Sequence, residues 1–199
     1  MWIVGSVTLS LTLCVLCCVA AASEQGVVIS KPSQNGKVDD LLYPLTIIHL
    51  NDFHARFEET NTVSTRCKPD EGEQCIGGYG RVVARVKSLQ QEYADRNPIY
   101  LNAGDSFQGT IWYTLLRWNV TAQFLNMLPA DAMTLGNHEF DHGVEGLVPF
   151  LEAIHSPMVV ANIDDRDEPT LQGMYQKSVV LDRGGRKIGV IGVIHHATD

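Results

Sequence analysis

The sequence predicts an α/β layered domain with an antiparallel addition at its end. Three observations carry that expectation. Short apolar, β-rich runs alternate with stretches whose apolar residues recur at helical spacing. Each of the first three runs leads into a polar loop. A last pair of β-rich runs flanks Arg183-Gly184-Gly185-Arg186, which is a hairpin signal.

The elements follow in order. Leu45-Thr46-Ile47-Ile48-His49-Leu50 is the first buried strand, with His49 read as a packed residue inside it. Residues 56–78, rich in Thr, Glu and Gly, read as a surface loop. Gly77-Gly78-Tyr79-Gly80 then opens a helix that places Val82, Val86, Leu89 and Tyr93 on one face. This glycine cluster lacks the Lys-Ser/Thr ending of a phosphate-cradling loop and is read as a plain turn. Pro98-Ile99-Tyr100-Leu101-Asn102-Ala103 is the second strand, followed by helical stretches over residues 110–118 and 121–128. Asp131-Ala132-Met133-Thr134-Leu135 is the third strand. Residues 144–154 form a helix with Leu147, Phe150, Leu151 and Ile154 inward, and Pro157-Met158-Val159-Val160-Ala161 is a further strand. Residues 177–181 and 187–194 make the closing hairpin.

The first 22 residues contain no Lys, Arg, Asp or Glu and end in Ala20-Ala21-Ala22. That pattern is a signal peptide over residues 1–22, cut before Ser23, with an uncleaved signal anchor as the alternative. Residues 23–44 are polar and aperiodic and read as a flexible leader, so order is expected from Leu45 to the end, residues 45–199. A hydrophobic fraction of 45% is enough for a core. The net charge of −8, without clustered Lys and Arg, argues against nucleic acid as a partner. Of the five cysteines, Cys14, Cys17 and Cys18 fall in the expected signal peptide and leave Cys67 and Cys75. An even pair in an oxidising compartment predicts a disulfide; two thiols with no nearby His do not make a zinc cluster. Asn119-Val120-Thr121 is an N-glycosylation sequon on Asn119.

Chemistry is concentrated in three loops. Asn51-Asp52-Phe53-His54 follows the first strand, Gly104-Asp105-Ser106-Phe107-Gln108-Gly109 the second, and Gly136-Asn137-His138-Glu139-Phe140-Asp141 the third. Loops at the exits of strands converge at one edge of an α/β sheet, where ligands bind. Carboxylates, imidazoles and a neutral amide are the donor types that hold a divalent ion pair and so generate a nucleophile at neutral pH. In extended geometry Asp52 and His54 would project to one side and chelate one ion. Asp105 sits at a turn where a carboxylate could bridge two ions, and Asn137 offers a weaker carbonyl ligand. Glu139 reads as a solvated neighbour.

These motifs, with Gly143-Val144-Glu145-Gly146-Leu147 and the cysteine pair ahead of Gly77-Gly78, resemble the calcineurin-like metallophosphatases over residues 45–193. Within them the chain is similar to the secreted 5'-nucleotidase and apyrase family, nearest to animal ecto-5'-nucleotidases and salivary apyrases of blood-feeding arthropods. The resemblance implies a four-layer α/β/β/α sandwich, incomplete at the C-terminus. It implies two divalent metal ions, zinc foremost, with manganese, magnesium or calcium as alternatives. Asp52 and His54 would hold one metal, Asp105 would bridge, and Asn137 would hold the second and touch the phosphate. His138 would contact the substrate phosphoryl group as a catalytic donor, held by Asp141. Two further histidine ligands and a nucleobase-binding domain would come from later segments that residues 1–199 do not carry; His195-His196 is read as ordinary variation. The implied reaction is hydrolysis of AMP, or of ATP and ADP, at the extracellular face of the cell or in secretions. Any membrane attachment would be through a lipid anchor outside this chain. The competing reading is a non-catalytic secreted protein that binds metal or nucleotide. Oligomeric state is left open.

Overall fold

The computed structural model describes residues 43–72 and 74–195, together with the strand backbone of residues 4–9 and 15–16. The leader residues 23–42, His196 and the cysteines Cys14, Cys17 and Cys18 of the expected signal peptide lie outside the described residues. Two sheets form the frame. The first has the order β1 (Val4–Leu9), β3 (Tyr43–Leu50), β6 (Ile99–Asn102), β7 (Ala132–Met133). The second has the order β2 (Val15–Leu16), β9 (Arg186–Ile191), β8 (Ser178–Arg183). A small ribbon pairs β4 (Glu59–Thr60) with β5 (Ile76–Gly77).

The parallel trio β3, β6, β7 positions everything that follows. Leu50 pairs with Asn102 and Asn102 with Met133, so the three strands end in one row. Neighbouring strands lie about 4.8 Å apart, which brings their exit loops within side-chain reach of one another. Strands β3, β6, β7, β8 and β9 begin and end within a few residues of the expected bounds, whereas β1, β2, β4 and β5 fall in segments read as signal peptide and surface loop. The run Pro157-Met158-Val159-Val160-Ala161 is an exception: it makes isolated bridges, Met133 to Met158 and Val159 to Gln176, in place of a full strand.

Three helices pack around this frame. In α1 (Tyr79–Glu92) the buried residues are Tyr79, Val82, Val86 and Leu89, at the spacing that puts them on one face. Burying such a side chain contributes about 1.5–3 kcal/mol. The expected helical stretches over 110–118 and 121–128 merge into α2 (Ile111–Leu125), broken at Arg117, whose φ of 56° and ψ of −145° are not helical. There the Arg117 guanidinium sits 2.5 Å from Nε2 of His142, and His142 stacks on Tyr113. Asn119 lies exposed on α2 just past the break, while Thr121 of its sequon is buried. In α3 (Gly143–Ala153) Leu147, Phe150 and Leu151 face the core. Phe53, Phe57, Tyr79 and Phe124 form one aromatic group in that core, and Phe107, Tyr113 and Phe150 another.

The closing hairpin turns on Gly184 (φ 53°) and Gly185 (φ 76°), the paired positive φ of a two-residue turn matched to strand twist. Cys67 and Cys75 are bridged, Cα to Cα 5.5 Å, and pin the exposed loop between β4 and β5. Residues expected to leave with a signal peptide supply edges here: β1 runs antiparallel to β3, and β2 parallel to β9. Among the described residues no helix is long and apolar enough to cross a membrane.

Candidate functional site

The first two exit loops zip together through their backbones. Asp52 N donates to Gly104 O (3.1 Å), His54 N to Asp105 O (3.0 Å) and Ala55 N to Ser106 O (2.9 Å). This pairing demands unusual backbone. Asp52, His54, Ala55 and Asp105 all have φ between 49° and 55°. The extended geometry expected for Asp52 and His54 is therefore incorrect: both residues are left-handed, and their side chains converge through the turn. Gly109 permits the approach, because a Cβ there would lie 2.4 Å from His54 O.

The second and third loops pack just as closely. A Cβ on Gly104 would lie 2.4 Å from Gly136 N, and one on Gly136 would lie 2.2 Å from Asp105 Oδ1. Only glycine fits at either position without one loop moving. Asp105 Oδ1 accepts from His138 N (3.0 Å), tying the Asp105 side chain to the third loop.

His54 Nδ1 lies 3.1 Å from Phe107 O. A carbonyl only accepts, so Nδ1 carries the hydrogen and the Nε2 lone pair is left facing outward. That nitrogen sits 3.9 Å from Asp52 Oδ1 and 3.8 Å from Asp105 Oδ2. These separations are too long for hydrogen bonds and shorter than two metal–ligand bonds of roughly 2.0–2.2 Å laid end to end. The donor set fits a divalent cation. His138 joins it: ligand atoms of His54, Asp105 and His138 lie within 4.8 Å of one another.

His138 and Asp141 stand at either end of a short 3-10 turn, His138–Phe140, which puts them on one side. Asp141 Oδ2 is 2.8 Å from His138 Nδ1. That hydrogen bond holds the imidazole pKa above its ordinary value against a smaller opposing effect of burial. Asn137 immediately precedes this turn and is exposed at the loop's mouth. His49 is half-buried in β3, and burial lowers its pKa, in keeping with a packing role.

The expectation that Glu139 is a solvated neighbour is overturned. It is fully buried, and its carboxylate accepts from the backbone N–H of Asp105 (3.0 Å), Ser106 (2.7 Å), Phe107 (3.3 Å) and Gly136 (2.6 Å). Desolvation pushes its pKa up, while hydrogen bonds from Gly136, Ser106 and Asp105 oppose the rise. Both oxygens act as acceptors throughout, which is the bonding of a carboxylate. Its own surroundings in the sequence gave no signal: Glu139 stands in the polar stretch Asn137-His138-Glu139-Phe140-Asp141-His142, and three of its four partners come from the distant Asp105 loop.

The chain is similar to known proteins over most of its length. An apyrase of Tabanus yao is 62% identical over 157 residues, covering 79% of this chain and 28% of its own length. An apyrase of Anopheles gambiae is 54% identical over 160 residues, covering 78% and 28%. The chain thus spans 28% of the length of either relative. The crystal structure of a 5'-nucleotidase precursor from Thermus thermophilus superposes with a TM-score of 0.65 at 36% identity, covering 77% of this chain and 29% of that one. Residues 45–198 match the calcineurin-like phosphoesterase family, and this chain belongs to it.

Proposed function

We propose that the chain is the N-terminal part of a secreted, two-metal nucleotide phosphohydrolase: a 5'-nucleotidase converting AMP to adenosine and phosphate, or an apyrase acting on ATP and ADP. The observation that carries this reading is the convergence of Asp52, His54, Asp105 and His138 at the exits of three adjacent parallel strands. The relatives' names, apyrase and 5'-nucleotidase, support the substrate class.

Bound divalent ions would supply Lewis acidity toward phosphoryl oxygens and make water a competent nucleophile. The chain's own residues do the rest. His54 Nε2, Asp52 and Asp105 Oδ2 hold and space the cations, and the exposed Asn137 carbonyl offers the position shared with substrate. His138, charged through its bond to Asp141, donates to phosphoryl oxygens as negative charge builds in the transition state. A second reading follows from the short distances around His138: with Nδ1–H on Asp141, a neutral ring would turn its Nε2 lone pair to the cation, as in carboxylate–histidine–metal arrangements. The hydrogen bond from Nδ1 to Asp141 is common to both readings, and metal content after loss of the ring separates them.

Secretion is supported by the charge-free apolar run of residues 1–22 and by the Cys67–Cys75 bridge. Phosphate release from AMP, ADP and ATP by the full-length protein of which this chain is the N-terminal part, measured with zinc, manganese, magnesium or calcium and after chelation, tests the function. Metal-dependent release that Asp105→Asn abolishes is expected. Metal binding with no release from any nucleotide would instead favour the non-catalytic binding protein.

A further inference from the structure

We propose that Glu139 is a positioning residue of the candidate metal centre, whose buried carboxylate fills a ring of backbone N–H groups and so fixes the direction of the Asp105 side chain. The proposal rests on the metal-centre reading above. Gly104 (φ 85°) and Asp105 (φ 55°) are successive left-handed residues. In the turn they open, the N–H groups of Asp105, Ser106 and Phe107 converge on one point, a concavity of consecutive N–H groups of the kind that attracts an anion. Here the anion is internal. One Glu139 oxygen takes Ser106 N and Phe107 N, and the other takes Asp105 N and Gly136 N, so a single side chain grips both loops.

The grip is reciprocal. Glu139 reaches into the Asp105 loop, while Asp105 Oδ1 reaches back to the N–H of His138, the neighbour of Glu139. With Oδ1 so engaged, Oδ2 is the oxygen turned to His54 Nε2. A left-handed Asp is a strained conformation that persists only when its surroundings enforce it. Glu139 supplies that enforcement, and glycine at 104 and 136 lets the loops close to the distance at which one carboxylate spans both.

The test is a Mn²⁺ titration of the full chain, read by loss of the free-ion EPR signal. Glu139→Gln keeps the shape but turns an NH₂ group onto N–H donors. Its Mn²⁺ Kd should rise about ten- to a hundredfold, as when groups that orient metal ligands are lost. Far-UV circular dichroism at the assay temperature should stay native. Glu139→Ala should regain part of its affinity in formate, which can enter the emptied ring, whereas wild type should not respond. Should Glu139→Gln fail to fold, Glu139→Asp carries the same titration. A folded variant whose Kd stays within about twofold of wild type would overturn the positioning role alone. A wild-type chain that binds no Mn²⁺ would overturn the metal-centre reading and this proposal with it.

Discussion

His54 presents Nε2 to Asp105 Oδ2 at 3.8 Å, with its other nitrogen committed to a backbone carbonyl. No hydrogen bond closes that gap. A cation would, and the loop backbone spends four left-handed non-glycine residues to create the arrangement.

The role of His138 divides into two measurable outcomes. If it acts on the transition state, His138→Ala retains metal and lowers kcat by on the order of a hundredfold with little change in KM. Asp141→Asn should act in the same direction but less severely, because the ring remains. Loss of metal together with activity in His138→Ala would make it a ligand.

Gly136→Ala places a methyl 2.2 Å from Asp105 Oδ1. The second and third loops must then part, at a cost of about 1–3 kcal/mol for overpacking. A lower thermal midpoint and weaker metal binding are expected together; a variant with wild-type values for both would contradict the close packing.

The Cys67–Cys75 bridge closes a short loop that has little core of its own, a constraint that contributes roughly 2 to 3 kcal/mol. Unreduced, denatured protein should take up no alkylating agent at Cys67 or Cys75. Labelling of either would refute the bridge.

Cleavage before Ser23 would remove β1 from β3 and β2 from β9. Residues 23–199 expressed alone would then carry two unpaired strand edges, which template association. Light scattering should show mass rising with concentration; a monomer at every concentration would show that other chain covers those edges.

Much of this architecture was readable from residue patterns. Apolar runs ending in polar loops located β3, β6 and β7, and the resemblance to the metallophosphatases anticipated the contact of His138 with Asp141. What escaped depended on contacts between segments far apart in sequence. Glu139 looks solvated until the N–H groups of Asp105, Ser106 and Phe107 are folded onto it. The left-handed turn at Asp52 and His54 arises from pairing with the Asp105 loop, which local propensity does not encode. The Arg117 break lies in an apolar run with no Pro or Gly to announce it, and the run around Val159 is held by isolated bridges to Met133 and Gln176 that local pattern does not distinguish from a ladder.

Metal content in wild type, Asp105→Asn and Asn137→Ala is the most direct test that three strand exits build one divalent-metal centre. Elemental analysis of protein equilibrated with divalent cation and freed of excess would supply it. A carboxylate shared by two cations neutralises both, and its loss leaves them repelling each other, whereas a neutral amide contributes one weak bond. Asp105→Asn should therefore lose more metal than Asn137→Ala, relative to a metal-bearing wild type. Equal stoichiometry in the two variants would contradict the bridging role, and a metal-free wild type would contradict the centre itself.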